Sequence, residues 1–287
     1  MTLVGSGAFT YAVQQDWFEL PEGWHFGWIP AVACDSADRV YVYSRSEHPM
    51  IVFDREGCFV ASWGEEVLKD AHGIFIDERD QIWCVERETH CVHKFTRDGQ
   101  RLLTLGTPGQ EGAEGQPFRL PTDLALDADG CIYVSDGYGN ACIHKYAPDG
   151  EFIKTWGRPG TGPGEFDLPH CVRFDQRGRL MVADRANNRI QFFDTDGNYL
   201  EEWGGFRHPD TIFLDGDTVY VAELDQRVSI LNLDGAWLAQ WGSGERIDAA
   251  GEFLGCPHGI WMNSRGDLYV GEVQTDHRIQ KFARQTL

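Results

Sequence analysis

Short runs rich in Val, Ile, Tyr and other apolar residues recur along the whole chain, each bounded by a turn signal. "VYVYS" starts at Val40, "IWCVE" at Ile82, "IYVSD" at Ile132, "LMVAD" at Leu180, "VYVAE" at Val219 and "LYVGE" at Leu268. Runs this short, enriched in β-branched and aromatic residues, predict strands and not helices. A second apolar run follows each of these, often closed by Asp-Gly or Glu-Gly, a hairpin signal. A third precedes it and ends at Asp or Asn, as in "IFID", "LALD", "VRFD", "IFLD" and "IWMN".

Aligning the glycines that close each unit exposes a repeat. "RVYVYSRSEHPMIVFDREGCFVASWG" ends at Gly64, and its counterparts end at Gly106, Gly157, Gly204 and Gly242, spaced 42, 51, 47 and 38 residues apart. Four short strands per unit at this period predict propeller blades. A sixth unit starts at Cys256 but lacks its fourth strand, and residues 9–20, "FTYAVQQDWFEL", are expected to supply it. The reading is therefore an all-β, six-bladed β-propeller spanning 1–287 as one domain, its ring closed by an N-terminal strand that leaves no exposed edge at the junction. A β-sandwich or solenoid fits the period less well.

His72, His170 and His258 stand at the start of the first strand in units two, four and six, where Pro30, Thr122 and Asp210 stand in the other three. The first strand of a blade lies beside the central channel. Histidines on alternate blades thus form an approximate three-fold set, suited to an open metal site with a position left for water or substrate. A lone histidine would more simply cap a turn; three in one column point to a metal. Imidazole suits zinc, with iron, manganese or cobalt as alternatives. The other seven histidines share no column. The loop after each second strand lies on the same face and brings Arg45, Arg87, Tyr138 and Arg185 there. Arginine binds carboxylate in a fork, unless it merely pairs with a neighbouring acid. A tyrosine near a metal can serve as a base. Glu86, Asp136, Asp184, Glu223 and Glu272 recur in blades with and without histidine, so they read as scaffold, as does the Trp-Gly column.

Composition narrows the partners. A formal charge of −20 over 287 residues argues against nucleic acid and anionic membranes. No run is long and apolar enough for a membrane span, and the N-terminus shows no signal peptide. The eight cysteines contain no Cys-x-x-Cys pair and read as reduced thiols of a cytoplasmic protein.

"VADRANNRIQFFDTDGNYLEEWG" and its siblings closely resemble NHL repeats, from about Trp28 to Phe282. "LPTDLALD", "IYVSDGYGN", "FDLPHCV" and "VADRANNRIQ" further resemble the peptidylglycine α-hydroxyamidating lyases. That resemblance implies a catalytic zinc on His72, His170 and His258, Tyr138 as base, and substrate-contacting or catalytic roles for Arg45 and Arg185; Arg87 is a weaker substrate-binding candidate. Where those lyases carry Asp after the third histidine, Met two residues before it and a disulfide cysteine after the tyrosine, this chain has Gly259, Cys256 and Gly139. These departures count against a structural calcium and that disulfide, and leave Cys256 as a candidate metal neighbour or fourth ligand. The expected activity is metal-dependent cleavage of the C–N bond of an N-acyl carbinolamine, a small anionic molecule such as an α-hydroxyglycine amide, giving an amide and glyoxylate or a related oxo acid. The alternatives are a metal-dependent lactonase or esterase and a non-enzymatic NHL platform for a protein partner.

Overall fold

The computed structural model describes residues 1–112 and 117–285, and all its regular elements are β-strands. They form six antiparallel sheets, the blades of a six-bladed β-propeller. The chain falls into two compact units, Met1–Ala71 with Phe213–Leu287, and His72–Ile212. No helix among the described residues is long and apolar enough to cross a membrane.

In the unit His72–Ile212, the first blade comprises β7 (Ala71–Ile76), β8 (Ile82–Glu86), β9 (Cys91–Phe95) and β10 (Arg101–Leu105). The next comprises β11 (Asp123–Leu126), β12 (Ile132–Asp136), β13 (Cys142–Tyr146) and β14 (Phe152–Trp156), followed by β15 (Pro169–Phe174), β16 (Leu180–Asp184), β17 (Arg189–Phe193) and β18 (Tyr199–Gly204). Strands β8, β12 and β16 are buried at every position. A blade packed on both faces needs no polar face, which is why these runs lack polar alternation and carry their acids only at the end. Trp83, Val85 and Leu105 pack with Phe118, Leu124 and Val134, and Tyr133, Ile143 and Phe166 pack with Val172, Val182 and Phe193, joining successive blades.

The other unit holds β3 (Trp28–Cys34), β4 (Val40–Arg45), β5 (Met50–Phe53) and β6 (Phe59–Trp63). It also holds most of the sheet of β19 (Pro209–Asp215), β20 (Thr218–Glu223), β21 (Arg227–Asn232) and β22 (Trp237–Trp241). The last blade is β23 (Cys256–Met262), β24 (Leu268–Val273) and β25 (Ile279–Arg284), completed by β2 (Phe9–Gln14) in the register Val13↔Phe282. The N-terminal strand thus takes the expected place, though it ends at Gln14. A fifth strand, β1 (Leu3–Ser6), covers its outer edge. The sequence pattern does not predict that strand.

The Asp or Asn ending four of these first-strand runs builds the turn that follows. Asp77, Asp127, Asp175 and Asn263 each accept, through Oδ1, the amides two and four residues ahead. These are Asx turns, which redirect the chain with local bonds. In the Trp-Gly column, Trp156 packs against Gly197 of the next blade, where an added Cβ would lie 2.7 Å from the indole. Gly242 has φ +98°, and a Cβ added there would collide with the Gln226 carbonyl oxygen.

Two outcomes follow from these contacts. Gly242→Ala should destabilise the protein by roughly 3 kcal/mol in urea unfolding, from backbone strain plus the clash. Gly178→Ala, at φ +74° with nothing within 4 Å, should lose only about 1 kcal/mol. Equal losses would contradict the packing argument. The second outcome concerns pH. His93 is 2% exposed, and burial, reinforced by Arg101, lowers its pKa from 6.5 to about 4. The unfolded chain therefore binds the proton below pH 6.5, while the folded chain does so only near pH 4. Stability is full above that window and falls as the pH drops through it, by up to about 3 kcal/mol. In the corresponding place of another blade, opposite Val182 as His93 is opposite Cys84, stands Gln191. His93→Gln should fold and show a shallower loss between pH 6.5 and 4 than the parent; parallel curves would refute the assignment.

Candidate functional site

The acids after the second strands hold the segments that lead into the inner strands. Asp136 accepts the Arg119 amide at 2.8 Å, Asp184 the Asp167 amide at 2.7 Å, and Glu272 the Gly255 amide at 2.7 Å. Each amide lies three residues before the inner-strand column, at Thr122, His170 and His258 respectively. Burial raises the Asp184 and Glu272 carboxyls despite their arginine and amide partners. The scaffold reading of these acids thus has a physical content: they set the height at which each column residue enters its strand. Leu120, Leu168 and His208 take left-handed backbone angles, φ 63°, 64° and 49°, two residues before Thr122, His170 and Asp210. Such strain in bulky residues collects beside functional sites.

All three histidines are buried, at 1%, 2% and 3% exposure for His72, His170 and His258. Each Nδ1 faces the backbone carbonyl of a column residue in a neighbouring blade. His72 Nδ1 lies 2.6 Å from the Thr122 oxygen, His170 Nδ1 3.2 Å from that of Asp210, and His258 Nδ1 2.7 Å from that of Pro30. A carbonyl oxygen only accepts, so each Nδ1 carries a proton, and in the neutral form of each ring the lone pair therefore lies on Nε2. That is the tautomer a metal ligand requires.

Within the unit His72–Ile212 the structure brings His72, His170, Tyr138, Arg87 and Arg185 together. A ring nitrogen of His72 and one of His170 lie within 4.8 Å of each other. Tyr138 Oη stands 3.2 Å from His72 Nε2 and 3.3 Å from His170 Nε2. Arg185 Nη1 donates to the same oxygen at 3.2 Å and to Asp210 Oδ2 at 3.1 Å. Burial disfavours the Arg185 charge, but the Asp210 carboxylate and Tyr138 outweigh it and raise its pKa further. Arg87 and Arg185 also lie over the Tyr138 ring, at 5.3 and 5.2 Å from its centre. Arg87 additionally pairs with Glu88 at 2.9 Å. A cleft of about 490 Å³ opens at Tyr138, lined by residues 137–141 with Thr161 and Phe166. It is large enough for a small organic ligand.

In the other unit, Arg45 donates from Nε to the Ala71 carbonyl at 3.0 Å, pairs with Asp70 at 3.3 Å and lies over Trp28. Its guanidinium therefore holds the segment leading into His72. The Cys256 sulfur is approached by Arg246 Nη2 at 3.5 Å and Gln226 Nε2 at 3.7 Å. All eight cysteines are free thiols, most of them buried.

Sequence reasoning missed two features. Asp210 shares the histidine column, yet nothing in its spacing separates its part from that of Thr122 or Pro30. Asp136, Cys142 and His144 form a second buried group able to hold a metal; His144 lies outside the inner-strand column and, against the expectation that the other histidines share no position, matches His93 of the preceding blade. Asp136 Oδ2 already accepts the Arg119 amide, Asn140 Nδ2 and His144 Nε2, and His144 Nδ1 faces Thr155 at 2.6 Å. Asp136 Oδ1 has no hydrogen-bond partner, but with Oδ2 and both His144 nitrogens committed in this way, the cluster serves the scaffold.

Comparison with known proteins places this geometry. A family model described as DUF5128, 6-bladed beta-propeller, matches residues 122–204. Streptogramin B lyase has the same fold, with a TM-score of 0.68 over 98% of this chain and 100% of that one, at 14% identity. The peptidyl-alpha-hydroxyglycine alpha-amidating lyase 1 of Drosophila melanogaster is 29% identical over 78% of this chain and 46% of its own length. NHL repeat-containing protein 3 of Homo sapiens is 33% identical over 95% of this chain and 84% of its own. The chain belongs to the NHL repeat-containing family of six-bladed β-propellers.

Proposed function

We propose that this protein is a metal-dependent lyase that cleaves the carbon–nitrogen bond of a small, anionic N-acyl carbinolamine, releasing an amide and an oxo acid such as glyoxylate. The observation that carries the reading is the position of Tyr138 Oη, within hydrogen-bond reach of two buried Nε2 atoms and a guanidinium. The similarity to an amidating lyase supports it. In this reading His72, His170 and His258 hold one metal ion, preferably zinc. The donor chemistry fits: each ring has its Nδ1 proton committed to a carbonyl, so the lone pair is on Nε2.

A bound divalent ion supplies Lewis acidity to the substrate oxygen. Tyr138 accepts the carbinol proton as the carbon–nitrogen bond breaks, and its own hydroxyl proton passes to the departing amide nitrogen. The O–H electron pair becomes the new carbonyl bond, so no other reactant is needed. Arg185 orients the substrate carboxylate while remaining hydrogen-bonded to Tyr138, Arg87 adds positive charge over the Tyr138 ring, and Arg45 holds the segment leading into His72. Arg87 and Arg185 give an acidic chain a local site for an anion. The cleft beside Tyr138 receives the acyl group.

Purified protein incubated with α-hydroxyhippurate should release glyoxylate and benzamide. Tyr138→Phe should lower kcat by about 10²- to 10⁴-fold while retaining the metal content of the parent. Silence with this substrate together with turnover of a lactone would favour a hydrolase instead. In a separate experiment, protein prepared without chelators should carry one metal ion per chain, and His72→Ala, His170→Ala and His258→Ala should each lose it. Parent protein free of metal would favour a non-enzymatic interaction platform.

A further inference from the structure

The geometry points to Asp210 as a positioning residue that couples a metal-binding histidine to the substrate-binding arginine, an assignment that rests on the proposed lyase reading. Asp210 is fully buried and is the one carboxylate among the six column residues Pro30, His72, Thr122, His170, Asp210 and His258. Both of its carboxylate oxygens face this site. Oδ1 lies 2.9 Å from His170 Nδ1 as a charge contact without hydrogen-bond alignment, and Oδ2 accepts Arg185 Nη1 at 3.1 Å. Its backbone carbonyl also accepts from His170 Nδ1, at 3.2 Å.

Two consequences follow. The first concerns the metal. His170 Nδ1 has a full negative charge beside it in addition to a backbone carbonyl. A carboxylate behind the ring raises imidazole basicity and strengthens His170 as a donor. The second concerns the substrate. Arg185 has one face directed at Tyr138 and is braced by Asp210 from behind. The carboxylate fixes the guanidinium so that its remaining N–H groups stay aimed at an incoming anion, and it offsets positive charge where cation, arginine and substrate meet. One buried side chain thereby ties metal affinity to recognition of the substrate carboxylate.

The test measures zinc affinity by chelator competition and steady-state kinetics with α-hydroxyhippurate for the parent, Asp210→Asn, Asp210→Ser, Arg185→Gln and the Asp210→Asn/Arg185→Gln double variant. Both Asp210 variants should bind zinc about 10- to 100-fold more weakly, whereas Arg185→Gln should bind it as the parent does. Asp210→Asn and Arg185→Gln should each raise KM, and the double variant should raise it no further than Arg185→Gln alone. Zinc affinity within twofold of the parent in either folded Asp210 variant, or KM effects that multiply in the double variant, would overturn the assignment. Failure of both Asp210 variants to fold would make the residue structural and overturn it too. Parent protein that binds no zinc would instead overturn the metal reading itself, before any variant is compared.

Discussion

Each of the three column histidines is held by a hydrogen bond from its Nδ1 to a carbonyl on the inner strand of an adjacent blade, and the chemistry of the site depends on that bond. It selects one tautomer, fixes the ring plane and leaves the Nε2 lone pair on the side away from the scaffold. The bond forms only if neighbouring inner strands stand at matched heights. Those heights are set by the acids that grip the amides of Arg119, Asp167 and Gly255, three residues before the column. Within each unit, the fold and the site are thus linked through hydrogen bonds. A buried imidazole satisfied on one nitrogen needs a partner for the other, and the single hydroxyl proton of Tyr138, within reach of Nε2 of both His72 and His170, can serve only one of them at a time.

Much of this was legible in the chain because a propeller repeats its instructions. Strand runs such as Ile132–Asp136 are buried throughout and open with apolar residues because blades cover them on both faces. Asp127 and Asp175 mark turns because a short carboxylate bonds amides two and four residues ahead. The histidine column stood out for the same reason: a residue that departs from the repeat on alternate blades is visible against it.

What stayed hidden depends on pairing in space. Leu3–Ser6 carries too short and too polar a run to announce a strand, and it becomes one by covering the open edge of Phe9–Gln14. His93 and His144 lie on strands whose apolar pattern gives no sign of buried imidazoles; threonines on the adjoining strands, Thr104 and Thr155, satisfy them. Loop position made Arg45, Arg87 and Arg185 candidates without indicating their partners. Arg45 is bound to Asp70 and the Ala71 carbonyl, while Arg185 reaches Tyr138 and Asp210. Asp210 occupies its column without any signature of its charge being used twice.

Family membership fixes the scaffold, and the side chains at the inner-strand column decide the chemistry. The central claim is that imidazole nitrogens, with no thiolate, hold the metal. X-ray absorption spectroscopy of the zinc-loaded protein tests it most directly. The account predicts nitrogen scatterers at about 2.0–2.1 Å with the multiple-scattering pattern of imidazole. A sulfur scatterer at about 2.3 Å would place Cys256 or another thiol among the ligands and contradict it.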